Sequence, residues 1–277
     1  MEIKTIATGL ALGEGPREDD TGTLYFGDAI GKGLFTWREG EGQRAVAPDL
    51  PNVGGCVIHQ DGGVISATSQ GFVKYDPGSG AVEPVACSVE GAPIGRVNDI
   101  EAAPDGSLWG GTIDHEGLVT GSKMRPGFLF RIDPSGHVTR HMDIMIPNGL
   151  DFSEDGSCLY FSESGDGVYA YDVSPDGQLS GRRAFALMPD SDGIAMDISG
   201  GIWVARYQTN RMEYYGADGS LQQKVEMPYA AATSVCFGGP DLKTLFVTGG
   251  HLTEPGHGGV ACFPVEVPGM PVRKTTI

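Results

Sequence analysis

A short run of aromatic and β-branched residues recurs along the chain, bounded each time by polar, glycine-containing stretches: "TLYFGD" at 23, "GVISAT" at 63, "SLWGGT" at 107, "CLYFSE" at 158, "GIWVAR" at 201 and "TLFVTG" at 244. The first core residues of these runs, Leu24, Val64, Leu108, Leu159, Ile202 and Leu245, are spaced by 40, 44, 51, 43 and 43 residues, the scale of one propeller blade. Each run follows a turn sequence such as "DDTG", "QDGG", "PDGS" or "EDGS", and most lead into a second hairpin, as in "GFVKYDPGSGAV" and "GFLFRIDPSGHV". No amphipathic helical pattern extends beyond a couple of turns, so strands carry the periodicity.

Four antiparallel strands in each of six repeats predict an all-β fold: a six-bladed β-propeller with four-stranded blades around a central channel, one domain over residues 1–277. The middle residue of each run (Tyr25, Ile65, Trp109, Tyr160, Trp203, Phe246) is expected to pack between blades. The terminal segments "MEIKTIAT" and "PVRKTTI" are expected to pair within one blade, closing the ring and removing exposed strand edges.

Composition narrows the function. The 44 Gly and 18 Pro are spread evenly, as tight turns between many strands require. With 19 Lys+Arg against 36 Asp+Glu, the net charge of -17 repels phosphate backbones and anionic lipid, arguing against nucleic-acid and membrane partners while leaving cations welcome. Cys56, Cys87, Cys158, Cys236 and Cys262 stand far apart with no Cys-x-x-Cys pair, so they read as buried thiols. The start, "MEIKTIATGLALGEGP", lacks a basic segment followed by a long apolar core, and no stretch nears the roughly 20 apolar residues of a membrane span. A soluble cytoplasmic protein is the expectation.

Ten residues before the strand landmarks stand Glu14, Gly54, Asn98 and Asp192, and eleven before stand Asn148 and Ser234. All six fall where an innermost strand should begin, so Glu14, Asn98, Asn148 and Asp192 are expected to face a common centre at one channel mouth. Asn-Gly and Asp-Gly are also hairpin dipeptides, and plain turns are the competing reading of 148–149 and 192–193. Glu-Gly-Pro is not a hairpin signal, and a carboxylate held beside Asp192 in a narrow channel is penalised by desolvation and repulsion unless a cation sits between them. Two carboxylates with one or two amide oxygens suit a hard divalent cation such as Ca²⁺, Mg²⁺ or Mn²⁺, and so few protein ligands leave positions open for water or a substrate oxygen. Returning strands should ring the same mouth with Asp28, Thr68, Asp114 to Glu116, Glu163, Tyr207 and His251, and Arg96 should join them.

Five ordered motifs, "LGEGP" (12–16), "RVNDIEAAPDGSLWGGTI" (96–113), "PNGLDFSEDGSCLYFSES" (147–164), "DGIAMDISGGIWVARY" (192–207) and "TSVCFGG" (233–239), resemble the SMP-30/gluconolactonase group of six-bladed propeller lactonases, also called regucalcin-like proteins. The likeness covers essentially the whole chain. It implies one divalent ion (Ca²⁺, or Mg²⁺, Mn²⁺, Zn²⁺ or Fe²⁺) on Glu14, Asn148 and Asp192, with Asp192 also the catalytic acid/base. It further implies substrate contacts from Arg96 and Asn98, and from Glu116 through an ungapped match along "GGTIDHEG". The expected activity is metal-dependent hydrolysis of a sugar-acid lactone, in which Asp192 deprotonates water while the ion and Arg96 stabilise the oxyanion. Hydrolysis of another ester (an aromatic or aliphatic lactone, or a phosphotriester) and a non-catalytic calcium-binding propeller are the alternatives. No G-x-S-x-G, H-E-x-x-H or P-loop pattern occurs. The second repeat is generic, and "HEGLVTGSKMRPG" is expected as a long loop beside the mouth.

Overall fold

The computed structural model describes residues 2–277 apart from 86, 90 and 252–254. In each recurrent run both faces are apolar, and the structure shows why. Leu24 and Phe26 pack with Cys236, Phe246 and Val260 on one side, whereas Tyr25 packs with Val53, Ile58, Val64 and Tyr75 on the other. A strand whose alternating side chains are buried on both faces must lie between two sheets, and repeating that arrangement generates a ring.

Six blades of four antiparallel strands result, blade 2 being extended to five by a parallel strand from the C-terminal segment. Blade 1 comprises Gly13–Glu18, Leu24–Asp28, Lys32–Arg38 and Gly42–Pro51. Blade 2 comprises Gly55–His59, Val64–Thr68, Gly71–Tyr75 and Val82–Val85. Blade 3 comprises Val97–Ala102, Leu108–Thr112, Gly127–Ile132 and Val138–Ile144. Blade 4 comprises Pro147–Phe152, Cys158–Glu163, Gly167–Val173 and Leu179–Leu187. Blade 5 comprises Ser191–Met196, Ile202–Arg206, Arg211–Tyr215 and Leu221–Glu226. Blade 6 takes Ala231–Gly238, Thr244–Gly250 and Gly258–Pro264 from late in the chain and Lys4–Leu10 from its start. The first strand of each of blades 1 to 5, and Ala231–Gly238 of blade 6, packs against its counterparts in the neighbouring blades.

The core is distributed over the blade boundaries. Ile65 lies between blades 2 and 3, Trp109 between 3 and 4, Trp203 between 5 and 6, and Phe246 between 6 and 1. Tyr160 is half-buried between blades 4 and 5, edge-on to Phe185 at 5.3 Å. Burial of these large side chains supplies the main stabilising term, each contributing about 1.5–3 kcal/mol.

The two chain ends do not share a blade. Lys4–Leu10 pairs with Gly258–Pro264 and closes the ring, as expected for the N-terminal segment. The C-terminal segment instead crosses the far face of the channel. Gly269 bridges to Asp197, Arg273 binds Asp151 Oδ1 at 2.6 Å and the Phe152 carbonyl at 2.7 Å, and Lys274–Thr275 pairs in parallel with Ile58–His59. The physical reason is charge: the buried Asp151 carboxylate, already bonded by the Met196 and Phe152 amides, needs a cation that the outer edge of a blade does not require. The 115–127 stretch contains a short helix, His115–Thr120, whose Asp114 cap accepts from Gly117 N and whose end is Gly121 at φ 68°. Among the described residues no helix is long and apolar enough to cross a membrane.

Candidate metal centre at the channel mouth

Each inner strand starts at the mouth, and five of the six break register there. The shifts fall between Glu14 and Arg17, Val97 and Ile100, Pro147 and Leu150, Ser191 and Ile194, and Ala232 and Val235. Blade 2 pairs without a break, and its position at the mouth is Gly54. A bulge re-aims the residue it contains, so the irregularity occurs where a side chain is turned into the channel.

The glycines beside these residues serve close approach rather than turning. A Cβ on Gly149 would stand 2.3 Å from Ile194 N, and one on Gly193 would stand 2.5 Å from Ser234 Cα. Neither has a left-handed φ, and both lie inside strands. Asn148-Gly149 and Asp192-Gly193 are therefore not hairpin turns.

A hydrogen-bond chain fixes the amides. Asn98 Nδ2 donates to Asn148 Oδ1 at 2.5 Å and to the Pro147 carbonyl at 2.7 Å, while Asn148 Nδ2 donates to Ser164 Oγ at 2.6 Å. Ser164 in turn donates to the Ser191 carbonyl, tying blade 4 to the residue before Asp192. The Asn148 oxygen keeps a second lone pair, which is what a ligand to a hard cation needs.

Half-buried Glu14 and buried Asp192 are brought together at the channel mouth. Burial holds the Glu14 carboxyl well above the usual range, and the charges of Asp192 and Asp99 push it further. Burial likewise raises Asp192, with Asp99 and Asp190 adding to it. Each receives a single backbone amide in partial compensation, Gly15 N at 3.2 Å for Glu14 and Gly193 N for Asp192. Tyr207 stands near both, its hydroxyl pushed up by burial and by the charges of Asp192 and Glu14. Among the described residues no three His, Cys, Asp or Glu side chains form a ligand cluster, and the candidate donors are the two carboxylates and the Asn148 amide oxygen. Buried, mutually repelling carboxylates beside an oriented amide oxygen fit an oxygen-liking divalent cation.

Arg96 stands at the mouth, with Nη2 donating to the Ala29 carbonyl at 2.9 Å. Glu116 is exposed on the short helix, and His115 beside it is half-buried and feels the Arg96 charge. Three other expected rim residues are engaged elsewhere. Asp28 accepts from Ala11, Leu12 and Gly31 amides, Thr68 donates to the Gly71 carbonyl, and Glu163 pairs with Arg182 at 2.9 Å.

Sequence reasoning missed Asp99, buried and adding its field to both channel carboxylates; its signal was adjacency to Asn98 within a bulge. It also missed the channel floor. There Arg17 pairs with Glu101 across from blade 1 to blade 3, and a cavity of about 50 Å³ is lined by these two with Asp151, Cys236 and Arg273. Burial disfavours the Arg17 charge, yet Glu101 and the surrounding acids hold it above its ordinary value.

The fold and mouth define a class: six-bladed propellers that carry an acidic centre in the channel. Within it, the chain belongs to the SMP-30/gluconolactonase/LRE-like family, whose model matches residues 12–251. It is 32% identical over 254 residues to the pentonolactonase XacC of Haloferax volcanii, covering 88% of this chain and 84% of that protein. It is also 32% identical over 234 residues to the 6-deoxy-6-sulfogluconolactonase of Pseudomonas putida, covering 81% and 78%. The solved structure of a calcium-binding protein, regucalcin, from Agrobacterium tumefaciens superimposes with a TM-score of 0.84 at 26% identity, over 96% of this chain and 94% of that one.

Proposed function

We propose that the protein is a divalent-metal-dependent lactonase that hydrolyses the ring ester of a sugar-acid lactone. The observation that carries this reading is the pair Glu14 and Asp192, drawn out of solvent near an oriented Asn148 oxygen, with no cationic side chain among the described residues offsetting their charge. The family and its two lactonase relatives support the reaction class.

A divalent cation held by Glu14, Asn148 and Asp192 would supply Lewis acidity toward the lactone carbonyl. Asp192 accepts a proton from water as the water oxygen bonds to the carbonyl carbon. The guanidinium of Arg96 donates to the oxygen that gains negative charge. The ring C–O bond then breaks, and Asp192 returns the proton to the departing alkoxide, leaving an open-chain hydroxy acid. Asn98 from inside the channel and Glu116 from the helix bind substrate hydroxyls. A positioned base of this kind contributes about 10² to 10⁴ in rate.

The test is a panel of sugar, aliphatic and aromatic lactones with a phosphotriester, assayed after chelator treatment and readdition of Ca²⁺, Mg²⁺ or Mn²⁺. Metal-restored turnover of sugar lactones is the expected result, and turnover that survives excess chelator removes the metal centre from the mechanism. The regucalcin likeness favours a second reading, a calcium-binding propeller without turnover, which predicts stoichiometric Ca²⁺ uptake and no hydrolysis anywhere in the panel.

A further inference from the structure

The strap across the far end of the channel reaches every part of the ring. Between Gly269 and Thr276 it bonds to the inner hairpin of all six blades, through backbone groups in blades 2, 3, 5 and 6, through Lys274 on Asp20 of blade 1 and through Arg273 in blade 4. The two side-chain contacts differ in kind. Lys274 and Asp20 form a surface pair, 34% and 70% exposed, whereas Arg273 and Asp151 are 12% and 11% exposed. A surface pair contributes little, but a buried carboxylate deprived of its cation is strongly unfavourable.

Asp151 ties together the two inner strands that carry Asn148 and Asp192. Its Oδ2 accepts the Met196 amide of blade 5 at 2.7 Å, and its Oδ1 accepts the Phe152 amide at 2.7 Å and Arg273 at 2.6 Å. The strap holds both strand ends, because Arg273 also donates to the Phe152 carbonyl at 2.7 Å and Met270 N donates to the Met196 carbonyl at 3.1 Å. Arg17, the other guanidinium on the floor cavity, is committed to Glu101. Asn148 stands three residues from Asp151 along one strand and Asp192 four residues from Met196 along the other, about 10–14 Å in extended chain.

We propose that Arg273 is a positioning residue for the metal centre: by neutralising Asp151 it keeps the floor ends of the two inner strands together and so sets the spacing of Asn148 and Asp192 at the mouth. This rests on the proposed metal site. Without Arg273, the bare Asp151 carboxylate turns into the cavity of about 50 Å³, where water can solvate it, and releases the Met196 amide. The strands are then held at their mouth ends alone, and a cation that needs its oxygen ligands at about 2.3–2.6 Å is gripped less well. The sign separates this from a field effect. Loss of a positive charge from the channel would by field alone strengthen cation binding, whereas loss of position weakens it.

The experiment measures Ca²⁺ affinity by calorimetry in wild type, Arg273→Gln, Arg273→Lys and Lys274→Gln, at a temperature where melts show each protein folded. Arg273→Gln should bind Ca²⁺ about tenfold more weakly, the lower end of the loss expected when a group behind a metal ligand is removed. Arg273→Lys returns a charge to Asp151 and should recover affinity to within a few-fold of wild type, and Lys274→Gln, which frees the strap only at the surface, should match wild type. An Arg273→Gln protein that binds Ca²⁺ as tightly as wild type or more tightly overturns the proposal, whatever its melting temperature, and so does failure of Arg273→Lys to recover. Should Arg273→Gln not fold, hydrogen exchange of the wild type decides. Coupling is reciprocal, so Ca²⁺ should slow exchange of the Met196 and Phe152 amides more than that of Val64–Thr68 in blade 2, which supplies no ligand, and uniform slowing overturns the clamp. A wild type that takes up no divalent ion overturns clamp and metal site together, whereas uptake without lactone turnover sinks only the lactonase reading.

Discussion

Asn98 Nδ2 donates to Asn148 Oδ1 at 2.5 Å across the boundary of blades 3 and 4, joining two motifs 50 residues apart. Asn98 therefore acts at two places, on the substrate side and on the orientation of the amide proposed to hold the cation. Removing a buried partner costs about 1–3 kcal/mol, so Asn98→Ala should lower kcat/KM for polyhydroxylated lactones by roughly ten- to a hundredfold. Ser164→Ala, which removes the acceptor of Asn148 Nδ2, should weaken divalent-ion affinity several-fold without touching the substrate contacts. Titration of both variants with Ca²⁺ and Mn²⁺, beside steady-state kinetics, separates the two effects.

Asp192→Asn retains an oxygen donor and removes the group that can take a proton from water. Bound metal, measured after dialysis, should persist while kcat falls by about 10² or more. Metal retention with kcat within a few-fold of wild type would remove Asp192 from the acid/base role.

The six-blade pattern was legible because both faces of each run are apolar, and residues such as Leu24, Tyr25 and Phe26 declare that directly in sequence. Glu14, Asn98, Asn148 and Asp192 were legible through register, since a regular repeat places equivalent positions at one mouth. The C-terminal strap was not, because Arg273 finds Asp151 across 122 positions and no local pattern encodes a partner that distant. Asp99 was hidden for a different reason. Simple strand alternation gives it no place beside Asn98 at the centre, and the bulge that lets it add its field there is a property of pairing rather than of composition.

His141 offers a pH test away from the mouth. Its ring stacks on Trp109 at 4.7 Å, its Nε2 is buried with no hydrogen-bond partner among the described residues, and burial, helped by the Arg131 charge, pulls it down to about 4. Because the folded-state value lies below that of the unfolded chain, the unfolded state binds more protons between the two, and stability falls as pH drops from about 6.5 toward about 4. The thermal midpoint of wild type should therefore drop more between pH 7 and pH 5 than that of His141→Phe, which keeps the stack and removes the proton site. Parallel losses in the two proteins would show that the imidazole is not responsible.

Gly149 separates the two readings of Asn148-Gly149 most sharply. Were it a hairpin turn, Gly149→Asn would be mild, because Asn tolerates the left-handed conformation such turns use. Here the glycine lies within the inner strand of blade 4, and any Cβ would stand 2.3 Å from Ile194 N and 2.7 Å from Gly193 Cα. The obstacle is the backbone of the next inner strand, so relief requires blades 4 and 5 to part at the position that carries both Asn148 and Asp192. Gly149→Ala should thus cost about 2 kcal/mol or more in stability, within the range of overpacking a close-packed interior. It should also weaken divalent-ion affinity by more than its effect on folding predicts. Gly40→Ala provides the comparison: Gly40 has φ 80° and nothing within 4 Å of its absent Cβ, so its strain is purely local and ion affinity should stay at the wild-type value. Thermal melts with and without Ca²⁺ measure both quantities, and a Gly149→Ala protein that melts like wild type and gains the same stabilisation from the ion would show that the inner strands are not in backbone contact at the mouth.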